Sequence, residues 1–417
     1  MATVARLDMT ARRNGQGRTL DALNFFLADV RDGLGPYLAI YLIAVRGPAH
    51  GWNEATVGTI LTIAGIVGLL SQTPAGILID RAANKPRIVM AAAMLVTISS
   101  LSLPLVSGYA MIAVTQSIAA AAGAIFAPAI SAITLGLVGP KMFARRVGRN
   151  EAFNHAGNAV SAALAGILAW RFGPVVVFWL MAALTVLSIA TTMRLRNEDI
   201  DNVVARGLDC EPGDDCEQPG AWRCLIENRS LMLFALVAFT FHLANAAMLT
   251  SVGQLLVKTV GKDQATSLTA ACIVAAQLVM VPVAAFVGSG TDRFGTKPIF
   301  LVAFGFLAVR GALYTLSNDP WWLVGVQALD GVGAGIFGAL FPIVIADLTH
   351  GSGRFNASQG AVATVQGIGA SLSATLAGWI IVTAGYDAGF LTLSAIAAAG
   401  FFLYLVGMPE TKRKGTG

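Results

Sequence analysis

Three ionisable side chains stand together in a stretch that otherwise reads as apolar: Asp29, Arg31 and Asp32, followed by Gly33, Gly35 and Pro36. A carboxylate in such a place can carry a proton or hold a solute, because an idle charge there is costly. A spacing of three puts Asp29 and Asp32 on one helical face, where Arg31 can neutralise either. The alternative is a self-neutralised triad that braces neighbouring helices. His242 lies near the middle of a later apolar stretch, one turn before Asn245. Its imidazole either titrates near neutrality or stays neutral, hydrogen-bonded across helices. Arg310 and Asp330 occupy two further apolar stretches. As a pair they satisfy each other; apart, Asp330 would couple protons and Arg310 would contact an anion. Glu151, Asn154, His155 and Asn158 share one helical face. The last three lie deeper and read as walls of a cavity, together with Gln366. Glu151, near an end, is within reach of Arg145, Arg146 or Arg149.

The elements that must position these groups follow from composition. Of 417 residues, 56% are apolar and 12% charged, against about 25% charged in an ordinary soluble domain. So little charge cannot coat a water-facing globule, which excludes soluble enzymes and nucleic-acid binders. A membrane helix needs about 20 apolar residues. The apolar runs fall at 21–45, 55–79, 86–106, 109–138, 150–170, 173–193, 230–257, 265–290, 298–317, 320–347, 356–384 and 386–408. The expected fold is therefore an all-α polytopic membrane protein of twelve spans. A cytoplasmic arm (1–20) precedes a first bundle (21–193). A cytoplasmic linker (194–229) joins it to a second bundle (230–408), and a short cytoplasmic tail (409–417) follows.

The net charge of +5 is a matter of topology. Lys and Arg are retained in cytoplasmic loops. With the N-terminus inside, only Arg46, Arg171, Lys258 and Lys262 fall outside, while Arg31 and Arg310 lie within spans. The linker carries Cys210 and Cys216 in an acidic, turn-forming stretch and reads as a solvated connector. Five residues between the two thiols is an uncommon spacing for metal ligands, so no metal is expected. Cys272, in the eighth span, reads as a small packing residue.

The chain also repeats itself at an offset of about 212. Gly76, Asp80, Arg81, Lys85 and Pro86 return as Gly288, Asp292, Arg293, Lys297 and Pro298. Gln116 with Phe126 matches Gln327 with Phe337, and GNAVSAALAG from Gly157 matches GASLSATLAG from Gly369. Collinear matches of this kind indicate a duplicated six-helix unit, a known transporter plan with its site between the halves. The Asp-Arg pair ends one helix and Lys-Pro begins the next. Such a carboxylate can engage a neighbouring helix N-terminus in one conformational state and release it in another.

These residues resemble the major facilitator superfamily, single-chain secondary transporters whose loop pattern G-x-L-x-D-R-x-G-R-K lies between spans two and three and, more weakly, between eight and nine. Gly76, Leu78, Asp80, Arg81 and Lys85 fit the first copy, with Asn84 in place of the usual Arg. Gly288, Asp292, Arg293, Gly295 and Lys297 fit the second. The drug–proton antiporter branch usually has an Arg where this chain has Gln116, with Gln327 its counterpart in the other half. That branch also has a Gly-Pro motif on the fifth span that Ala156-Gly157-Asn158 lacks.

The resemblance implies a non-enzymatic, proton-linked transporter of a small solute in the cytoplasmic membrane, working by alternating access as a monomer. Its partners would be the solute, protons and the bilayer, with no nucleic acid and no cofactor. Protonation of Asp29 or Asp32, with His242, would link the proton gradient to the motion. Efflux is slightly favoured on the family's habits. Uptake of a small organic acid or metal chelate is the alternative, and a solute sensor without flux is an alternative of a different class. No nucleotide-binding loop is present.

Overall fold

The structure is a computed structural model, and it describes residues 2–32, 38, 42, 54–106, 108–172, 175–208 and 226–412. Among these residues the chain forms helices and turns. We label the α-helices α1 (Ala2–Asp32), α2 (Glu54–Arg81), α3 (Lys85–Leu101), α4 (Tyr109–Gly123), α5 (Phe126–Val138), α6 (Pro140–Phe172) and α7 (Val176–Thr192). They continue as α8 (Arg229–Val260), α9 (Lys262–Phe294), α10 (Thr296–Leu313), α11 (Pro320–Ala328), α12 (Asp330–Thr349) and α13 (Phe355–Gly407). Seven helical stretches among the described residues are long and apolar enough to cross a membrane.

Local chemistry sets the boundaries. Asn84 caps α3 by accepting from the Arg87 amide at 3.1 Å, with Pro86 in the first turn. Asn228 caps α8 through the Leu231 amide, and Asp319 caps α11 through Trp322, each satisfying a donor that the first turn leaves orphaned. Gly385, at φ 91°, interrupts the 53-residue α13 at the point that separates the predicted spans 356–384 and 386–408. Only glycine takes such a conformation without strain.

Two expectations are revised, and one segment gains detail. Helix α1 runs from Ala2 through the rest of the arm 1–20 and on without a break. The fifth predicted span begins ten residues early, at Pro140, so Arg145, Arg146 and Arg149 ride on its helical extension. The linker is not wholly solvated. Leu195, Ile200 and Ala205 are buried, and two 3₁₀ turns, Asn197–Asp199 and Val204–Arg206, pack there. Cys210 and Cys216 lie outside the described residues.

The packing divides between two apolar cores. One gathers α1 to α7 with the start of the linker, around Leu23, Ile60, Val96, Phe126 and Phe178. The other gathers α8 to α13 around Phe234, Phe241, Phe300, Phe304 and Phe390. Much of the remaining apolar surface, such as Leu70, Ile98, Trp179 and Val382, is exposed; such a surface is stable facing lipid.

Candidate functional site

The polar groups form three assemblies: one within each half and one where the halves meet. In the second half, Arg310 of α10 is 1% exposed. Its guanidinium pairs with Asp330 at the start of α12. It also donates to Asn245 Oδ1 of α8 at 2.5 Å and to the Met248 sulfur at 3.0 and 3.3 Å. The second Asp330 oxygen accepts from Gln327 at 3.2 Å, and Gln327 in turn accepts from the Tyr314 hydroxyl. A buried guanidinium is stable only when so surrounded. Arg310 and Asp330 are thus a pair, as one of the two sequence readings had it, and four of the five guanidinium donors are engaged. His242, one turn from Asn245, bonds Ala238 O through Nδ1 at 3.2 Å and Gln366 Nε2 of α13 through Nε2 at 3.0 Å. A carbonyl on one nitrogen and an amide donor on the other require a neutral ring protonated at Nδ1. The rings of Phe337 and Phe241 pack beside it.

In the first half, Glu151 of α6 faces Arg31 of α1 at 3.8 Å and accepts from Asn154 at 3.1 Å. By sequence Glu151 is within reach of Arg145, Arg146 or Arg149. Instead Arg146 and Arg149 both clamp the buried Asp21, at 2.6 and 2.7 Å, because α1 packs its polar face along α6. The triad reading of Asp29, Arg31 and Asp32 changes accordingly, since Arg31 is directed at Glu151. Asp29 and Asn158 are half-buried, and the Asp32 side chain lies outside the described residues. Gln116 is buried but does not join a network like that of its repeat mate Gln327; its Nε2 has no partner among the described residues.

The third assembly crosses between the halves. Asp80, 1% exposed at the end of α2, accepts from the Ala357 amide at 2.8 Å and from Asn356 Nδ2 at 2.9 Å. Both donors belong to the first turn of α13, where N–H groups lack helical partners and favour a negative charge. Asn356 Nδ2 also donates to Ala205 O of the linker at 3.0 Å. Gly76 makes this approach possible, since a Cβ there would run into the Asn356 backbone, and a Cβ on Gly360 would run into Gln72. Thr73 and Thr364 meet at 3.2 Å further along the same seam. Lys85 is fully buried and donates to Asn202 of the linker at 2.6 Å and to Ala82 O at 3.0 Å. Burial, with Arg206 nearby, brings its ammonium down to about 8, while Asp80 pulls the other way. The opposite flank is a seam of α6 on α9, where Gly148 and Gly288 let the backbones touch. There His155 Nδ1 meets Gln277 Oε1 at 2.9 Å.

The second loop copy is built differently. Asp292 is 65% exposed and its partner is Lys412 at 3.4 Å. Glu410 of the tail accepts from the amides of Thr296 and Lys297 at 2.8 and 3.1 Å and from the Thr296 hydroxyl at 2.6 Å. Lys412 donates to Thr291 O and Asp292 O at 2.9 and 2.6 Å. Arg81 and Arg293 are exposed, Arg293 lying over the Phe294 ring, and Lys297 contributes its amide to Glu410.

A family model described as Major Facilitator Superfamily matches residues 21–309 and 235–417. The chain belongs to the major facilitator superfamily. It is 55% identical over 394 residues to an uncharacterized MFS-type transporter of Mycobacterium tuberculosis strain H37Rv, Rv2456c, covering 94% of this chain and 93% of that one. It is 24% identical over 366 residues to the inner membrane transport protein YajR of Escherichia coli K12, covering 83% and 74%. Among solved structures it is similar to FucP in the outward conformation, with TM-score 0.71, 14% identity, and 96% and 99% of the two chains covered. It is likewise similar to the human organic anion transporter MFSD10, with TM-score 0.70, 16% identity, and 94% and 99% covered. The chain is therefore an MFS-type secondary transporter of the all-helical MFS fold, a membrane-spanning carrier of small-molecule solutes and not an enzyme.

Sequence reasoning missed Asn356, Gln277, Tyr314, Asn202 and Glu410. Gln277 carried a signal, as an amide in the interior of a nearly unbroken apolar span. Asn356 carried a weaker one, at the head of a predicted helix. Asn202 and Glu410 have no local mark, since only the fold brings them to the two loops.

Proposed function

We propose that the chain moves a small solute across the cytoplasmic membrane by alternating access, with protons as the coupling ion. In this reading there are twelve spans, six in 21–193 and six in 230–408, with both termini cytoplasmic and the monomer as the working unit. The observation that carries the reading is the Asp80 junction. A carboxylate of one half caps a helix of the other, at one end of the molecule, through contacts that separate cleanly if the halves rock. That end is cytoplasmic if the Lys and Arg distribution sets the orientation, so the closed seam belongs to a state that faces outward.

Coupling runs through the carboxylates inside the bundle. A proton on Asp330 would weaken its hold on Arg310 and on Gln327, and Asp29 and Asp32 are the acids proposed for the first half. His242 with Gln366, and Asn154, His155 and Asn158 with Gln116, line the space between. Efflux is favoured over uptake. Its support is the family's habit together with 29% identity over 136 residues to multidrug resistance protein MdtH of Yersinia enterocolitica, about a third of each chain. Arg31, half-buried with its partner at 3.8 Å, supports a second reading in which a small organic acid is carried.

A metabolite screen of a deletion strain supplies the solute, and proteoliposomes with an imposed pH gradient test the mechanism. Gradient-driven flux is expected in the wild type. Asp29→Asn, Asp32→Asn and Asp330→Asn should each impair driven flux while sparing exchange. Solute binding without flux would overturn the transporter reading in favour of a sensor, and driven flux in all three variants would place coupling elsewhere.

A further inference from the structure

The seam of α6 on α9 holds a group that the Asp80 junction does not use. His155 is the α6 side chain that reaches Gln277 of α9, at 2.9 Å. Oε1 of Gln277 can only accept, so His155 Nδ1 carries the proton and donates. The other nitrogen, Nε2, is buried and has no partner among the described residues. A bare lone pair in that position tolerates a neutral ring. A proton added there would become a buried N–H without an acceptor, which is costly.

The internal repeat makes this pair unusual. At the offset of 212 the counterparts of His155 and Gln277 are Gly367 and Gly65. The matching seam of α2 on α13 is accordingly apolar at that level, where Leu69 lies over Gly367. At that level one flank has a leucine over a glycine and the other an imidazole on an amide.

Among the described residues no charged group accepts at His155 Nε2. Glu151, one turn back on α6, is engaged by Arg31 and Asn154. Of the helices packed on α6, α1 carries Asp21, held by Arg146 and Arg149, with Asp29 and Arg31, and α12 carries Asp330, held by Arg310 and Gln327, and Asp347 near its other end. Helices α5 and α7 carry no ionisable residue; α9 carries them at its ends, and Cys272 between.

We propose that His155 is a coupling residue of this transporter: a proton bound at Nε2 parts α6 from α9, and its loss lets the seam close on Gln277. Only one bond is made, N–H at Nε2. The proton is taken up from water on the side opposite Asp80 while the seam is closed and, once the seam has parted, is released to water on the Asp80 side. Linkage fixes the sign. The parted state binds the proton better, so the closed fraction falls as pH falls. For a single proton the closed-to-parted ratio changes by at most about tenfold per pH unit.

The inference rests on the alternating-access reading, but its test needs no solute. Spin labels at Lys141→Cys and Ser289→Cys, both exposed at the Asp80 end, report the distance between α6 and α9 in lipid nanodiscs, with the native cysteines replaced. The wild type should shift from a short to a long distance between pH 8 and pH 5. His155→Gln keeps an amide donor for Gln277 and cannot titrate, so it should hold the short distance throughout. Gln277→Ala keeps the imidazole; it should start more open and still respond to pH. A wild type without pH response, a His155→Gln protein that follows the wild type, or loss of the response in Gln277→Ala would each overturn the proposal. Flux in proteoliposomes is read separately. A His155-dependent distance change without flux removes the transporter reading and leaves the switch standing.

Discussion

Asp80 and Asp292 hold the same place in a duplicated loop, yet they do different work. Asp80 is buried and reaches into the other half, where the first turn of α13 supplies two donors. Asp292 is exposed and pairs with a lysine of its own tail. Each loop is also fastened by the chain that leaves the last helix of its half. In the first half, Asn197 and Asn202 donate to Ala83 O at 3.0 and 3.2 Å; in the second, Glu410 and Lys412 take over. The repeat therefore supplied two similar loops, and only one became a junction between the two halves. The difference lies in what stands opposite. At the level of Asn356, the chain one repeat earlier is Ala144, the fifth residue of α6, one turn past the helix start at Pro140. Its amide lies beyond the first-turn N–H groups that a carboxylate could cap.

The largest effect that would break this comparison is at Asp80. Asp80→Ala leaves the buried amides of Asn356 and Ala357 without their acceptor, costing roughly 1–3 kcal/mol per orphaned group. Closed-state population, measured by labelling or spin-label distance, should fall about tenfold or more, since 1.4 kcal/mol corresponds to tenfold. Gly76→Ala comes next. Overpacking of this kind costs about 1–3 kcal/mol, and the obstacle is backbone, which cannot step aside. Thermal stability and flux should both drop. Gly288→Ala should be milder, because the nearest atoms to a Cβ there are 3.0 Å away. Gly378→Ala, which meets open space, should be neutral or stabilising.

Glu410→Ala tests the second loop. It removes the cap from the start of α10, typically worth about 1 kcal/mol. Thermal midpoint should fall without a change in the distance across the Asp80 seam. Lys85 offers a pH test. Its ammonium is held at about 8 against an ordinary 10.5, so the folded protein binds fewer protons than the unfolded chain between those values. Stability should therefore rise with pH from about 8 to 10.5, relative to Lys85→Met, in thermal melts. The smallest effect is expected at Asp292→Ala. An exposed ion pair contributes roughly 0–1 kcal/mol, so flux should change less than about twofold. Equal losses in Asp80→Ala and Asp292→Ala would end the distinction between the loops.

Much of this was legible in the residues. Long apolar runs announced the helices, and Gly385 stood where two predicted spans meet. The repeated Gly, Asp and Lys positions marked both loops, and the alternative of a helix-capping carboxylate was readable from Asp80 alone. Partners were harder. Glu151 was given to arginines on its own helix, while the fold gives it Arg31 and gives Arg146 and Arg149 to Asp21. The linker read as solvated because its acidic stretch dominates the composition, yet its first third is packed. Spacing along a chain ranks neighbours within a helix, whereas these pairs join residues more than a hundred positions apart.

By itself, the sequence determined the class of molecule, the helices, the duplication and the residues whose charge needs an explanation. Those properties depend on composition and periodicity, which are local. Only the tertiary structure decided which charges cancel, that Arg310 is held by Asp330, Asn245 and Met248, that Asp80 and not Asp292 spans the halves, and that His155 keeps one nitrogen unpartnered among the described residues. Each of these depends on which helix start, amide or carbonyl lies opposite a given side chain. Packing fixes that opposition, and a low-dielectric interior makes every unmatched polar group expensive.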